Sequence, residues 1–166
     1  MFEPGTYVVY GDSGLCRVEQ VGVPDFSSER DKTYYFLRVM EDNSRVYVPT
    51  DTHMPLRAPL TTPEAEAFLG SLDRLPVSLP ERRDRKTVLS HYQALLRPHT
   101  AEALAQVIKS IRSQHRATPG RMSGAEEALL KRAQRQLCGE LAGALHLTED
   151  AALQRLEAAL TGPKGS

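Results

Sequence analysis

The chain has 166 residues, of which 40% are hydrophobic and 25% are charged. This balance is typical of one ordinary globular domain or two small ones, and not of a disordered chain. No run of about eighteen apolar residues is present, and the first residues lack the basic and apolar segments of a signal peptide. We therefore expect a cytoplasmic chain without a membrane-spanning segment.

Charge is unevenly distributed along the chain, although 21 basic and 21 acidic side chains cancel overall. Residues 1–60 carry a net charge of −3, whereas residues 81–135 carry +7. A segment with such an excess of positive charge favours a polyanionic or acidic partner.

The pattern from Thr6 to Pro49 is typical of short strands. Four β-branched or aromatic residues, Tyr7 to Tyr10, end at a Gly-Asp-Ser-Gly turn, and further alternating runs are separated by polar turns. The turns recur about every eight to twelve residues, which predicts a small antiparallel barrel or curled sheet. So small a sheet has edge strands that must be protected or lent to a partner.

Beyond residue 60 the apolar residues recur with helical spacing. Thr62 followed by Pro63 predicts a helix start, and Ser123 with Glu126 three residues later forms a capping box. We predict an all-α region of about five helices, with a disordered tail at residues 162–166. The fold class is therefore α+β, with a β domain followed by a helical domain.

Residues with catalytic or metal-binding chemistry lack the spacing that such sites need. The five histidines form no HExxH pair, so no metal is expected. Cys16 and Cys138 fit no redox or metal motif and are expected to be reduced, buried thiols. Ser13 lacks the flanking residues of a nucleophile elbow. The chain is not expected to be an enzyme, and no cofactor is predicted.

A basic block is the feature that most needs a partner. It consists of four cations within five residues, Arg82, Arg83, Arg85 and Lys86. Further cations follow along the chain: Arg112, Arg116, Arg121, Lys131, Arg132 and Arg135. Gathered on one side, they would form a footprint for a phosphate backbone. The alternative is a solvated helix face, for which Glu81 and Asp84 offer ion-pair partners.

Several motifs of the chain resemble the CarD/CdnL family of bacterial RNA-polymerase-binding transcription regulators. The opening FEPGTYVVYGDSGLCRVEQV is similar to the family's G-D-x-V-V-Y-P-x-H-G start. The segment RVYVPTD and the following Leu56-Arg57 are similar to its V-x-V-P strand end and L-R pair. EALLKRAQRQLCGELA, residues 127–142, resembles its A-R-Q-I-L-V-G-E-L-A signature.

The resemblance implies a Tudor-like barrel, SH3-like in form, that is also found in transcription-repair coupling factor and docks on the RNA polymerase β-subunit lobe. An exposed edge strand of such a barrel pairs with a partner strand through backbone hydrogen bonds. The candidate edge consists of Ser44, Arg45, Val46, Tyr47 and Val48, with Arg45 and Tyr47 facing outwards. These exposed side chains could equally be inert.

The resemblance also implies a helical domain that contacts promoter DNA at the upstream edge of the bubble. The family places a tryptophan wedge there, but this chain has no Trp, and the corresponding position falls near Asp84. Phosphate contacts remain available. The candidate DNA-binding residues are Arg82, Arg83, Arg85, Lys86 and Arg132. Tyr47 stands where the family has an arginine on its polymerase face.

Together these observations predict a polymerase-interaction domain over residues 1–58 and a helical DNA-binding domain over residues 59–161. We expect a monomeric regulator, associated with the nucleoid through RNA polymerase, that modulates open-complex stability. A protein-only polymerase adaptor is the alternative, because the tryptophan is missing. An RNA- or ribosome-associated protein is a third possibility, because small SH3-like barrels also occur in such proteins.

Overall fold

Short β-branched and aromatic segments form a five-stranded sheet in the first part of the chain. The computed structural model describes residues 2–120 and 122–161. The chain divides into two units, Met1–Pro59 and Leu60–Ser166. The predicted tail at residues 162–166 and the basic residue Arg121 lie outside the described residues.

The strands of the first unit are all antiparallel and follow the order β4-β3-β2-β1-β5. Their bounds are β1 Tyr7–Tyr10, β2 Gly14–Gly22, β3 Tyr34–Val39, β4 Arg45–Pro49 and β5 Leu56–Arg57. The sheet is a curled half-barrel in which β4 and β5 are the two end strands. The expected barrel is open over the described residues, because the sheet order ends at β4 and at β5 and does not pair these two strands with each other. β5 has only two residues and pairs with β1.

Alternation along the strands places one face of the sheet in a core and the other in solvent. The buried side chains of this core are Val8, Cys16, Val18, Tyr35, Leu37, Val39 and Val48. The register of β2 on β3 shifts between Val18 and Gln20, so Glu19 is the extra residue of a β-bulge. We call the opposite, solvent-facing side of the sheet the outer face.

The second unit consists of helices. Their bounds are α1 Thr62–Ser71, α2 Arg85–Leu96, α3 Ala101–Ala117, α4 Gly124–Leu145 and α5 Glu149–Thr161. A single 3-10 turn, Leu72–Arg74, follows α1. Leucines and alanines of α1, α3, α4 and α5 form the larger core, and Val88 and Tyr92 of α2 pack with α3 and α4 in a smaller one.

The helices begin at the polar residues that satisfy their first N–H groups. The N-cap of α1 is Thr61, one residue before the predicted Thr62, because the Thr61 hydroxyl and the Glu64 carboxylate form a reciprocal capping box. Ser123 caps α4 and accepts from the backbone N–H of Glu126, which is one of the two hydrogen bonds of the predicted capping box.

Candidate functional site

The free edge of β4 presents backbone hydrogen-bonding groups on one side. The N–H of Val39 donates to the carbonyl oxygen of Ser44 at 2.8 Å, and the N–H of Thr50 donates to the carbonyl oxygen of Thr33 at 3.1 Å. Because antiparallel pairs alternate, Val46 and Val48 direct their backbone groups towards β3. Arg45 and Tyr47 therefore direct their N–H and C=O groups away from the sheet, whereas Pro49 offers only its carbonyl oxygen.

The side chains of β4 divide between the two faces. Val48 is fully buried and Val46 is half-buried against the core, so neither side chain belongs to a contact surface. Arg45 and Tyr47 are exposed on the outer face. Ser44 lies one residue before the strand, where its N–H and hydroxyl both donate to the Asp42 carboxylate, at 3.0 and 2.6 Å. The predicted edge segment, Ser44–Val48, thus begins and ends one residue before the observed strand, Arg45–Pro49.

Arg45 and Arg38 share one carboxylate, that of Glu19. Glu19, the bulge residue of β2, lies 3.5 Å from the Arg45 guanidinium and 3.1 Å from that of Arg38. A hydrogen bond to Tyr47 and the negative charge of Glu19 raise the pKa of the Arg45 guanidinium. Arg38 also donates to the carbonyl oxygen of Asn43 at 2.9 Å. This part of the outer face therefore carries two guanidinium groups for one carboxylate.

Four aromatic rings lie beside these charges on the outer face. Tyr47 meets Phe36 edge to face at a centroid distance of 4.9 Å and meets Phe26 at 5.1 Å. Phe26 also meets Tyr34 at 5.8 Å. Phe26 belongs to the β2–β3 connection, which the sequence predicted only as a polar loop. A single large apolar residue within that polar segment is the one signal that could have identified it.

In the helical unit, the basic block surrounds the start of α2. Arg82 and Arg83 precede the helix, and Arg85 and Lys86 are its first two residues. Cations at this end oppose the helix macrodipole, but the N-cap between them is an acid. Asp84 accepts from the N–H of Thr87 at 3.0 Å and from its hydroxyl at 2.9 Å, and these hydrogen bonds lower the pKa of the Asp84 carboxyl.

The four cations of the block differ in what their side chains touch. Arg82 lies 3.5 Å from the Asp84 carboxylate and donates to the Thr87 hydroxyl at 3.4 Å. Arg83 lines a small cavity of about 190 Å³ with His115 of α3 and Glu126 of α4. Arg85 and Lys86 are exposed. The start of α2 and the end of α3 therefore bring Arg83 and His115 together.

Buried Tyr92 lies near this cavity. Desolvation and the charge of Glu126 raise the pKa of its hydroxyl, and Arg83 opposes that shift. Arg83 and Glu126 thus act on one buried phenol, which ties the basic block to the small core of the helical unit.

The cations of α4 do not all join that block. Lys131 and Arg135 line a groove of about 450 Å³ between α4 and α5, together with Glu149 and Asp150. Arg132 is exposed and, one residue after Lys131, points about 100° away from it around the helix. The positive charge of residues 81–135 is therefore spread over more than one face of the helical unit.

Among residues 2–120 and 122–161, no group of three or more His, Cys, Asp or Glu side chains has the arrangement of a metal site. Nor does any helix in those ranges combine the length and the apolar character that crossing a membrane requires. Cys16 and Cys138 are free and buried, as expected.

Comparison with known proteins gives one family. Residues 2–57 match the model of the CarD-like/TRCF RID domain, which covers about a third of the chain and lies within the first unit. No curated protein matches the chain. The resemblance to CarD-like regulators is thereby confirmed over the unit that carries the β4 edge. The family is one of RNA-polymerase-interaction domains.

Proposed function

Since residues 2–57 are a CarD-like/TRCF RID domain, we propose that the chain is a bacterial transcription regulator that acts on the nucleoid. Its β4 edge binds the β-subunit lobe of RNA polymerase by strand addition. The observation that carries this proposal is the outward direction of the N–H and C=O groups of Arg45 and Tyr47 on a strand at the end of the sheet. A partner strand needs such unpaired groups.

Substitution of Arg45 by proline tests strand addition directly. Proline removes the outward N–H of this residue and keeps the backbone hydrogen bonds between Val46 and β3. An edge strand therefore tolerates proline at this position. Arg45→Ala is the matched control, because it removes the same side chain and keeps the N–H. We expect Arg45→Pro to weaken binding to RNA polymerase at least tenfold, a cost of about 1.4 kcal/mol, relative to Arg45→Ala. Equal affinities of the two variants would contradict strand addition.

We further propose that the helical unit contacts promoter DNA at the upstream edge of the bubble and modulates the lifetime of the open complex. The support is the basic block around α2, where Arg85 and Lys86 are exposed. Arg82 and Arg83 belong to the same block, and Arg132 on α4 is a further proposed contact. Such contacts bind phosphates and carry no sequence information of their own.

Reversal of Arg82, Arg83, Arg85 and Lys86 to Glu should abolish binding to a fork-junction DNA and leave polymerase binding intact. The binding constant of the unsubstituted chain should fall steeply with salt, because each phosphate contact releases a counterion. Lys131→Glu together with Arg135→Glu, on the α4–α5 groove, is the matched charge control. Equal loss of DNA and polymerase binding on reversal of the block would contradict this assignment.

A protein-only adaptor is the second candidate, and one observation favours it. The chain has no Trp, and Asp84, near the family's wedge position, is committed to capping α2. In that case the affinity for fork-junction DNA is low and changes little with salt concentration, while the β4 edge still binds polymerase.

A further inference from the structure

The outer face of the sheet carries an exposed aromatic surface next to the free strand edge. Phe26 is 63% exposed and Tyr47 is 37% exposed, although the two rings touch edge to face. Exposure of a large ring beside an unpaired strand is unfavourable for an isolated molecule, because it offers a site for unwanted pairing and aggregation. A partner that covers both features would remove this cost.

Phe26 is held in place before any partner arrives. Ser27 donates from its N–H to the carbonyl oxygen of Pro24 at 3.1 Å, which closes a turn around Phe26. Its ring rests on Tyr34 of β3 as well as on Tyr47 of β4. A ring fixed in this way loses little conformational freedom on binding, which favours its use as an anchor.

A strand added at β4 would bring side chains onto these rings. Neighbouring strands lie about 4.8 Å apart, and side chains beside Tyr47 on the partner would share its face of the sheet. One of them would therefore lie next to the Tyr47 ring, which Phe26 touches edge to face. The nearby guanidinium groups of Arg38 and Arg45 share the single carboxylate of Glu19, so they disfavour a cationic neighbour, and the two exposed rings favour an apolar one.

We propose that Phe26 and Tyr47 form an aromatic platform that receives an apolar side chain of the RNA polymerase strand added at β4. This inference rests on the proposed strand addition and names the chemistry that selects the strand. Backbone pairing supplies affinity for any extended segment, whereas the platform discriminates in favour of an apolar residue at one position.

Phe26→Ala tests the platform in the full chain with RNA polymerase core enzyme as the probe. We expect affinity to fall by about tenfold or more, as for a central aromatic contact. Phe26→Leu should retain much of the affinity, because it keeps an apolar side chain. The loss should be the same at low and at high salt, since burial of apolar surface is not screened. Tyr7→Ala is the matched control, because Tyr7 is 45% exposed on β1, far from β4 in the sheet order.

The outcomes separate the platform from strand addition. If Arg45→Pro weakens binding and Phe26→Ala does not, the platform is wrong and strand addition stands. If neither variant changes affinity, strand addition is wrong as well. A Phe26→Ala loss that disappears at high salt would mean an electrostatic contact and would overturn the apolar assignment. Far-UV circular dichroism and thermal unfolding of each variant confirm that the sheet is intact.

Discussion

The ammonium group of Lys109 on α3 donates a hydrogen bond to the carbonyl oxygen of Leu75 at 2.8 Å. It also donates to the carbonyl oxygens of Leu72 and Asp73, at 2.8 and 3.2 Å. These carbonyls lie at the 3-10 turn after α1, where the carbonyl oxygen of Leu72 also accepts the N–H of Leu75 at 3.2 Å, and the end of a helical segment leaves its last carbonyls without helical N–H partners. Ser110, the next residue, accepts from the N–H of Ser78 at 2.9 Å. Helix α3 thereby fixes the segment that leads to the basic block.

Lys109→Met should destabilise the helical unit, because it keeps the aliphatic stem and removes all three donated hydrogen bonds. We expect a loss of about 1–2 kcal/mol in the free energy of unfolding, since the site is half-buried and water can replace part of the interaction. Urea denaturation followed by circular dichroism measures it. Lys131→Met, at an exposed position of α4, is the control and should change stability by less than about 0.5 kcal/mol.

Glu140→Ala should be more costly than most substitutions in α4. The carboxylate of Glu140 is buried and accepts from the backbone N–H of Leu60 at 2.8 Å, where the chain enters the helical unit. Removal of the carboxylate leaves that donor without its acceptor, for which we expect a loss of about 2 kcal/mol or more. Glu140→Gln keeps a carbonyl oxygen and should lose less. If Glu127→Ala, at an exposed position, costs as much as Glu140→Ala, the hydrogen bond is not the cause.

Asp84 should make the stability of the helical unit depend on pH. Its hydrogen bonds to Thr87 hold the folded-state pKa of the Asp84 carboxyl below its ordinary value of 3.8. The carboxylate therefore contributes stability above that ordinary pKa, and the contribution is lost as the pH falls through the lowered folded-state pKa. Asp84→Asn, which keeps an N-cap without the charge, should be less stable than the unsubstituted chain near neutral pH. The difference should vanish in acid.

Denaturation of both chains at about pH 7 and about pH 2.5 measures this difference across the range in which an aspartate titrates. Thr87→Val removes the hydroxyl that donates to the carboxylate, and should reduce the pH dependence. A constant difference between the unsubstituted chain and Asp84→Asn at both pH values would show that the charge of Asp84 makes no contribution.

The reactivity of each cysteine thiol should measure the unfolding of the unit that contains it, Cys16 for the first unit and Cys138 for the second. Burial raises the pKa of the Cys16 thiol and that of the Cys138 thiol to about 11, so about one thiol in a thousand is ionised at pH 8. Because the thiolate is the reactive form, a disulfide reagent should modify each thiol slowly in the folded chain and rapidly in denaturant. Cys16→Ala leaves only Cys138 to react, and Cys138→Ala leaves only Cys16. Rapid reaction without denaturant would contradict their burial.

Much of the secondary structure could be predicted because its signals are local. Alternating residues in β3 and β4 identify strands, and the serine of the α4 capping box identifies a helix start one residue before Gly124. The start of α1 was predicted at Thr62 and lies one residue later than the observed N-cap, because two adjacent threonines both satisfy the sequence signal and only Thr61 completes the reciprocal hydrogen bonds. The edge segment was a candidate proposed with the family resemblance, and the sheet order places β4 at one end of the sheet.

The candidate site was only partly predictable. The outward direction of Arg45 and Tyr47 follows from strand alternation, once the pairing of β4 with β3 is known. Phe26 could not be placed, because its contact with Tyr47 spans the β2–β3 connection and depends on the path of that loop. The spread of cations over different faces of the helical unit also depends on how α4 packs against α5. A count of charges along the sequence gives no information on this packing.

The sequence by itself determined which segments are strands and helices, that Ser123 caps α4, and that positive charge is concentrated in residues 81–135. These properties depend on neighbours within a few residues along the chain. Tertiary structure alone decided that Phe26 lies on Tyr47, that Lys109 holds Leu75, and that Glu140 accepts from Leu60, 80 residues away. Such contacts join side chains distant in sequence, and only the packing of whole strands and helices brings them within hydrogen-bond or van der Waals distance.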